Sequence, residues 1–189
     1  ILQAWYPGQS GGKAAAEVLF GDYNPAGRLP VTFYRNIAQL PDFEDYNMTG
    51  RTYRYMQDVP LFPFGYGLSY TTFGYGKTVL DKNELTAGQS LKLTVPVTNT
   101  GKCNGEEVVQ VYLRKQGDAE GPIKTLRAFK RVSIPAGKTV NVEFDLKDKE
   151  LEWWDDQSNT VRVCPGNYDI MVGGSSKEED LQRTTIAIK

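Results

Sequence analysis

Two groups of closely spaced carboxylates could act as acid, base or nucleophile in a hydrolytic reaction. One group lies in an aromatic-rich stretch and the other surrounds a pair of tryptophans; the members are Asp42, Glu44 and Asp45, and Glu150, Glu152, Asp155 and Asp156. Hydrolysis by a carboxylate pair requires one ionised group and one proton donor held around a single pocket. Neither group lies in a segment that resembles a pocket floor, so we interpret both as solvated acidic turns and assign no catalytic residue.

The chain contains no histidine, which excludes several kinds of chemistry. Ser-His-Asp and Cys-His catalysis need an imidazole that titrates near neutral pH, and the usual zinc sites need a neutral imidazole nitrogen. The two cysteines, Cys103 and Cys164, fit no zinc-binding spacing. The sequence therefore predicts neither a metal site nor a cofactor.

A glycine-rich stretch from Gly8 to Lys13 superficially resembles a phosphate-binding loop. That loop requires four residues between its first glycine and the Gly-Lys pair, followed by a serine or threonine that holds magnesium. The first glycine would fall on Pro7, and Ala14 stands where the hydroxyl residue is needed. We therefore interpret the stretch as a tight turn that leads into a helix.

Charge and hydropathy exclude two classes of partner. Lysine plus arginine number 22 against 23 for aspartate plus glutamate, a net charge of -1, and the basic residues are scattered along the chain. Nucleic acid binding needs a concentrated positive surface, and no apolar run approaches the roughly 20 residues that span a bilayer. We therefore expect neither nucleic acid nor a membrane as a partner.

The first third of the chain has the pattern of one α/β unit. A short apolar strand from Ile1 to Trp5 and a glycine-rich turn precede a helix that is capped by Ser10 and stopped by Gly21. We expect Val18 to Phe20 to form the buried face of this helix. A second short strand is predicted from Leu29 to Phe33, after a run of turn-forming residues.

A stretch of about thirty residues from Tyr34 to Pro63 shows no periodicity and is rich in aromatic residues. The aromatics in it or next to it include Phe43, Tyr46, Tyr53, Tyr55, Phe62 and Phe64. A loop of this length inside a compact domain usually has a function or packs against something, and in a free linker these aromatics would expose a large apolar surface. We therefore expect the stretch to lie across the surface of another domain.

Beyond Phe73 the pattern changes to the two-residue period of β-strands. From Leu91 to Thr98, apolar residues alternate with more polar ones, as in a strand with one buried face. Similar runs follow at 108–113, 126–134, 140–146, 168–172 and 184–188, with an edge strand near 78–80. These strands and turns are typical of an antiparallel β-sandwich. We predict a mainly β chain, an immunoglobulin-like antiparallel β-sandwich preceded by a partial α/β segment.

This strand order places the two cysteines in loops at opposite ends of the sandwich. Cys103 follows the second strand and Cys164 precedes the sixth. Sulfur atoms one strand length apart, roughly 20 Å at ~3.3 Å per residue, cannot bond, because the Cα atoms of a disulfide must lie within about 7 Å. We therefore predict no intrachain disulfide.

Trp153 and Trp154 are adjacent, and exposed aromatic rings can stack on sugars. Neighbouring residues on a strand point to opposite faces, so at most one of the two could belong to a flat binding platform. We expect one tryptophan to be part of the core and the other to pack at a domain boundary. A carbohydrate-binding module is the alternative interpretation.

Several longer motifs occur in order along the chain. They are Trp5-Tyr6-Pro7-Gly8-Gln9, Val18-Leu19-Phe20-Gly21, Gly27-Arg28-Leu29-Pro30-Val31-Thr32-Phe33, Gly50-Arg51-Thr52-Tyr53-Arg54-Tyr55, the run from Pro60 to Phe73, Glu107-Val108-Val109-Gln110-Val111-Tyr112, Pro135-Ala136-Gly137 and Pro165-Gly166. Together they resemble the end of the α/β-sandwich domain, the linker and the fibronectin type III-like domain of glycoside hydrolase family 3. The resemblance covers essentially the whole chain.

The resemblance implies an activity for a longer parent protein. Members of this family are retaining enzymes that release sugars from the non-reducing ends of β-linked glycosides, commonly β-glucosides or β-xylosides. Their nucleophile is an Asp on an N-terminal barrel domain, and their general acid/base is usually a Glu upstream of the Trp-Tyr-Pro-Gly stretch. Neither position exists in this sequence, so we carry over no catalytic residue and expect the chain alone to be inactive.

We accordingly expect residues 1–72 to be the end of the α/β domain with its aromatic linker, and residues 73–189 to be the fibronectin type III-like domain. Their expected role is to stabilise and shield upstream catalytic domains of the same polypeptide, which would bind the β-linked oligosaccharides. Trp5 and Tyr6 are expected near the substrate. An independent carbohydrate-binding or adhesive β-sandwich module is the alternative function. Because the sequence opens on Ile1 rather than Met, it leaves a periplasmic or secreted location of the parent open.

Overall fold

A computed structural model describes all 189 residues. Residues 1–72 contain little regular structure, namely helix α1 (Gly11–Phe20), helix α2 (Thr52–Tyr55) and a 3₁₀ turn at Ile37–Gln39. Residues 73–189 contain eleven strands, helix α3 (Asp148–Leu151) and a 3₁₀ turn at Glu178–Asp180. The chain is mainly β, as the sequence predicts. None of its helices has the length and apolar character that a bilayer crossing requires.

Helix α1 begins and ends where the sequence predicts, but its expected buried face is exposed. Ser10 occupies the N-cap position without a side-chain capping bond, and Gly21 ends the helix at φ 85°, a left-handed conformation that suits glycine. Leu19 and Phe20 are 69% and 84% exposed. The prediction that they are buried is wrong for this chain, because nothing within it covers their side chains.

The two strands predicted in residues 1–72 do not form. Residues 1–5 have no regular structure, and the segment from Leu29 to Phe33 makes a single bridge, between Phe33 and Phe62. This segment does run beside residues 61–66, with the Phe33 N–H donating to the Phe62 carbonyl at 2.9 Å. Pro30 and Pro63 lack an N–H, so a continuous ladder cannot form between the two segments.

The first sheet is built around one long central strand, β4 (Leu91–Asn99). On one side β4 pairs with β1 (Phe73–Tyr75) and then β2 (Val79–Leu80), and on the other side with β7 (Thr139–Leu146). All these pairs are antiparallel. The short strand β1 directly follows residues 1–72, so the end of that part of the chain is fixed to the sheet.

The second sheet contains five strands in the order β3 (Glu84–Leu85), β11 (Gln182–Ile188), β10 (Gly166–Gly173), β5 (Gly105–Lys115) and β6 (Thr125–Ile134). Only the β3–β11 pair is parallel. The remaining strands, β8 (Trp153–Asp155) and β9 (Thr160–Arg162), form a separate hairpin. Each strand that the hydrophobic alternation predicts is present; those that the sequence did not reveal, β1, β3, β8 and β9, have only two or three residues.

The core of the sandwich explains why the alternating runs become strands. Leu91, Leu93, Val95 and Val97 have no exposed surface, while the residues between them lie at or near the surface. They belong to a single core of 20 buried residues, to which both sheets contribute side chains. Burying such a side chain contributes roughly 1.5–3 kcal/mol, so this core stabilises the antiparallel sandwich that the sequence predicts.

The two cysteines lie in different surroundings. The Cys103 carbonyl accepts a bond from Asn99, the last residue of β4, whereas the thiol of Cys164 is 3.7 Å from the Trp153 carbonyl. Both cysteines are free, Cys103 exposed and Cys164 buried. The prediction that they form no intrachain disulfide is confirmed.

Candidate functional site at the interface between residues 1–72 and the sandwich

The two acidic groups lie in different local structures, the first around the turn at 43–44 and the second across α3, β8 and the turn after β8. Asp45 accepts bonds from the backbone N–H and the side-chain amide of Asn47, at 2.9 and 2.7 Å, which lower the pKa of its carboxyl. Bonds from Ser158 and Arg162 lower the pKa of Asp155 to about 2. A general acid at neutral pH needs a raised pKa, so neither Asp45 nor Asp155 is prepared to act as one. The prediction of an acidic turn is wrong for part of the second group, because Glu150 is helical and Asp155 ends β8; only Asp156 lies in the turn that follows.

Trp5 and Tyr6, the residues predicted near the substrate, are at the surface. Trp5 is 51% exposed and Tyr6 fully exposed, and neither ring contacts another aromatic ring of the chain. Trp5 has a φ of 52°, a left-handed conformation that is uncommon for a bulky residue. The structure brings no carboxylate pair to them, and their proximity to a substrate stays a prediction.

A buried ion pair joins residues 1–72 to the sandwich. The guanidinium of Arg28 donates to Glu107 Oε2 at 2.7 Å, and the two side chains are only 9% and 4% exposed. The Tyr75 hydroxyl donates to the other carboxylate oxygen at 3.0 Å. Burial, followed by the charge of Glu107, raises the pKa of Tyr75 and keeps it a neutral donor. Both oxygens of Glu107 are thus satisfied from two different parts of the chain.

Asn99 satisfies four groups at the end of β4. Its amide nitrogen donates to the carbonyls of Cys103 and Ile134, at 2.8 and 2.9 Å. Its amide oxygen accepts from the Thr71 hydroxyl at 2.5 Å and from the Gly101 N–H at 3.1 Å. Asn99 has no exposed surface, so this network fixes Thr71 to the interior of the sandwich.

Gln110 of β5 holds the chain that passes over the second sheet. Its amide nitrogen lies within 3.3 Å of the Gly65 carbonyl and also bonds the Gly174 carbonyl, while its amide oxygen accepts from Tyr112. Next to Gly65, the Phe64 carbonyl accepts from the N–H of Ser176 at 2.8 Å. The 64–65 segment is therefore bonded both to β5 and to the loop after β10.

Gly65 is required both for its left-handed backbone conformation and for its close contact with Gln110, and two matched variants separate these effects. Gly65 has φ +80°, and a Cβ would lie 2.1 Å from Gln110 Oε1, whereas Gly137 has φ +68° and open space around a Cβ. We expect Gly65→Ala to lower the free energy of unfolding by about 2–3 kcal/mol, and Gly137→Ala by about 1 kcal/mol, the cost of the left-handed backbone alone. Urea unfolding of both variants measures the difference; equal losses would contradict the close contact with Gln110.

The aromatic stretch lies partly against the sandwich, as expected. Tyr53 stacks on Phe64 at 4.4 Å between ring centroids and meets Tyr112 of β5 edge-on at 5.8 Å. Its hydroxyl also accepts from the N–H of Leu126 at 3.1 Å. Phe43 and Tyr46, by contrast, are 92% and 89% exposed. The stretch is thus anchored at α2 and at 62–71, and uncovered between 42 and 46.

Apolar surface is distributed very unevenly along the chain. Only three of the 35 buried residues lie in residues 1–72, namely Ala26, Gly65 and Thr71. The same part carries 17 of the 21 large hydrophobic side chains that are exposed. The most exposed of these are Ile1, Tyr6, Leu19, Phe20, Ile37, Phe43, Tyr46 and Leu68. Residues 1–72 therefore have no core of their own and present an uncovered apolar surface, which in proteins marks an interaction face.

The polar residues of the interface were not identified from the sequence. Arg28 and Glu107 lie inside motifs that carry the family resemblance, yet a motif does not state which of its members pair. The only local signal was the unusual pair of glycines in Gly65-Tyr66-Gly67. A Cβ on Gly67 would lie 2.3 Å from the Gly27 carbonyl, so Gly65 marks a close approach to the sandwich, at Gln110, and Gly67 marks a close approach within residues 1–72.

Comparison with known families and proteins agrees with this architecture. Residues 1–70 match the glycosyl hydrolase family 3 C-terminal domain, and residues 107–176 match a fibronectin type III-like domain. A xylan 1,4-β-xylosidase of Xylanibacter ruminicola is 54% identical over all of this chain and 22% of its own length. A periplasmic β-glucosidase of Salmonella typhimurium is 36% identical over 93% of this chain and 25% of its own length.

A solved structure gives the same result in three dimensions. A β-glucosidase from Erythrobacter marinus superimposes with a TM-score of 0.83 at 40% identity, over 98% of this chain and 24% of its own. The chain thus spans about a quarter of the length of the relatives that it matches. The matched domains and relatives show that the chain belongs to glycosyl hydrolase family 3, of which it represents the C-terminal region.

Proposed function

We propose that the chain is the non-catalytic C-terminal portion of an exo-acting, retaining β-glycosidase that cleaves β-xylosides or β-glucosides. In this proposal the sandwich and the aromatic stretch stabilise and shield catalytic domains of the same polypeptide, and those domains bind the β-linked oligosaccharide. The relatives that support it are themselves named β-xylosidases and β-glucosidases.

The observation that carries the proposal is the contrast between the polar contacts and the apolar side chains of residues 1–72. This part is tied to the sandwich by the Arg28–Glu107 ion pair, the Asn99 network and the Gln110 bonds. Leu19, Phe20 and most other large apolar residues of the same part are nevertheless uncovered. A segment that has no core of its own, is bonded to one domain and still exposes many apolar side chains is suited to connect two domains.

The carboxylates of the chain support a non-catalytic role. Retaining hydrolysis needs a nucleophile and a proton donor about 5 Å apart around one pocket. Within this chain, the carboxylates with perturbed pKa values, Asp45, Asp155 and Glu178, all have lowered pKa values. In Glu178 the bond and charge of Lys124, with the charge of Arg183, outweigh the effect of burial. None of the three is thus prepared to donate a proton.

The proposal is tested by hydrolysis of nitrophenyl β-xyloside and β-glucoside. We expect no turnover by the 189-residue chain, and turnover by the parent polypeptide that includes the preceding sequence. Removing residues 73–189 from that parent should lower both its melting temperature and its activity, because residues 1–72 would lose the sandwich that holds them. Steady turnover by the chain alone, or a truncated parent with unchanged stability and activity, would contradict the proposal.

The relative rates on the two substrates identify the sugar. The identity of 54% to a xylan 1,4-β-xylosidase against 36% to a β-glucosidase favours the xyloside. We therefore expect the parent to hydrolyse nitrophenyl β-xyloside with the higher kcat/KM. A higher kcat/KM on the glucoside would assign the parent to the β-glucosidases.

A further inference from the structure

A small cavity lies between helix α2 and the neighbouring edge of the sandwich. Its volume is about 190 Å³, and it is lined by residues of α2, of the β5–β6 connection, of β6 and of β8. The lining residues that matter here are Arg54, Tyr55, Glu120, Arg127, Trp154 and Asp156. None of them belongs to the polar contacts of the interface described above, so the cavity is a separate feature.

Two arginines and a threonine of the lining have side-chain atoms that lack a hydrogen-bond partner. Arg54 Nε, Arg127 Nε and Thr125 Oγ1 are buried without a partner, and they are three of only five such side-chain atoms in the chain. The Arg127 guanidinium makes one hydrogen bond, to the Glu152 carbonyl. Burial and the nearby charge of Arg54 lower the pKa of Arg127. Unsatisfied buried donors are costly and call for a specific explanation.

The same cavity also carries unused acceptors. Glu120 is exposed and forms no ion pair, and Asp156 uses one carboxylate oxygen to accept from Trp154 Nε1 at 2.8 Å. Although Asp118 lines the cavity too, its two oxygens accept from Trp153 Nε1 and the Gly121 N–H. Neither arginine forms an ion pair with these carboxylates, so the positive and negative groups around the cavity do not satisfy one another.

Aromatic surface completes the lining. Trp154 is 49% exposed at the cavity, whereas its neighbour Trp153 is 2% exposed and belongs to the core. This confirms that adjacent tryptophans of this strand point to opposite faces. Tyr55 of α2 also lines the cavity, with the Arg54 guanidinium 5.4 Å from its ring centroid. An exposed tryptophan offers a flat apolar surface next to the polar groups.

The mixture of charges decides the class of ligand. An anion would be attracted by the two arginines but repelled by the three carboxylates. A cation would be attracted by the carboxylates but repelled by the arginines. A neutral polyol suits both sets, because each hydroxyl both accepts from a guanidinium and donates to a carboxylate. The C–H face of a sugar ring can in addition pack on an indole. We propose that this cavity binds one neutral pyranose unit of a saccharide.

This inference goes beyond the proposed function, because it gives the C-terminal region a sugar contact of its own. It does not depend on activity of the parent, so the two proposals can fail independently. Calorimetric titration of the 189-residue chain with xylobiose, cellobiose and glucuronate tests it. We expect saturable binding of at least one neutral disaccharide and none of glucuronate.

Two exposed lining residues provide variants that leave the fold intact. We expect Trp154→Ala and Glu120→Ala each to weaken disaccharide binding about tenfold or more, which corresponds to the loss of one charge-assisted bond or of a stacking surface. The matched controls are Phe129→Ala, an exposed aromatic on β6, and Glu143→Ala, an exposed carboxylate on β7. Both controls should bind as the unmodified chain does.

Arg54 distinguishes a ligand-binding role from a structural one. Because its guanidinium has no hydrogen-bond or ion-pair partner in the chain and lies near Arg127, we expect Arg54→Met to leave the melting temperature unchanged or raised while it abolishes disaccharide binding. Absence of saturable heat with both neutral disaccharides would overturn the inference. So would tighter binding of glucuronate, equal effects of the lining and control variants, or a lowered melting temperature with retained binding in Arg54→Met.

Discussion

Replacing Glu107 with alanine is expected to lower the free energy of unfolding by about 3–5 kcal/mol, because it removes one partner of a buried ion pair and leaves the other uncompensated. Arg28 would keep its charge with only 9% of its side chain exposed, and its remaining side-chain bond is to the carbonyl of its own neighbour, Gly27. The Tyr75 hydroxyl would lose its acceptor as well. Urea unfolding of the chain, followed by circular dichroism, measures the loss.

The adjacent residue provides the control. Glu106 pairs with Arg131 at the surface, with the two side chains 37% and 49% exposed, and an exposed pair contributes only about 0–1 kcal/mol. We therefore expect Glu106→Ala to change the free energy of unfolding by less than about 1 kcal/mol. Similar losses for Glu106→Ala and Glu107→Ala would show that the buried pair does not have the role assigned to it.

A double variant tests whether the loss of stability in Glu107→Ala comes from leaving the Arg28 charge without a partner. In Arg28→Met with Glu107→Leu, both charges are removed and side chains of similar length remain. Buried pairs that are replaced together often cost little, so the double variant should be more stable than Glu107→Ala. A double variant that is less stable than Glu107→Ala would contradict an uncompensated arginine as the origin of the loss.

The second large effect is expected at Asn99. Its replacement by alanine leaves the Thr71 hydroxyl, the Gly101 N–H and the carbonyls of Cys103 and Ile134 without their shared partner. Each buried polar group that is left unsatisfied costs about 1–3 kcal/mol, and solvent reaches some of them after the substitution. We therefore expect Asn99→Ala to lower the free energy of unfolding by about 3–5 kcal/mol.

Asn141 of the neighbouring strand β7 is the matched control. It is exposed, and its side chain makes no hydrogen bond within the chain. Asn141→Ala should change the free energy of unfolding by no more than about 0.5 kcal/mol. If Asn99→Ala were as mild as this control, the bonds of Asn99 would not be what fixes Thr71 and the end of residues 1–72 to the sandwich.

The sequence by itself determined the sandwich and the positions of its long strands. From Leu91 to Asn99 every second residue is buried, and this alternation is a local property, because successive side chains of an extended backbone point to opposite faces. The same geometry separated Trp153 from Trp154 and placed the cysteines apart. Gly21, which ends α1, could be predicted for a similar reason, because the left-handed conformation at a helix end is a local requirement.

Only the tertiary structure decided which polar residues meet and which apolar residues stay uncovered. Arg28 and Glu107 are 79 residues apart, and no local rule relates them, because their contact depends on how residues 24–28 lie on the second sheet. Leu19 and Phe20 have the pattern of a buried helical face, but burial requires a neighbour, and the chain supplies none for them. Arg54 and Arg127 likewise share a cavity only because α2 lies against β6. Periodicity specifies which face a residue occupies; what that face contacts is set by the packing of segments distant in sequence.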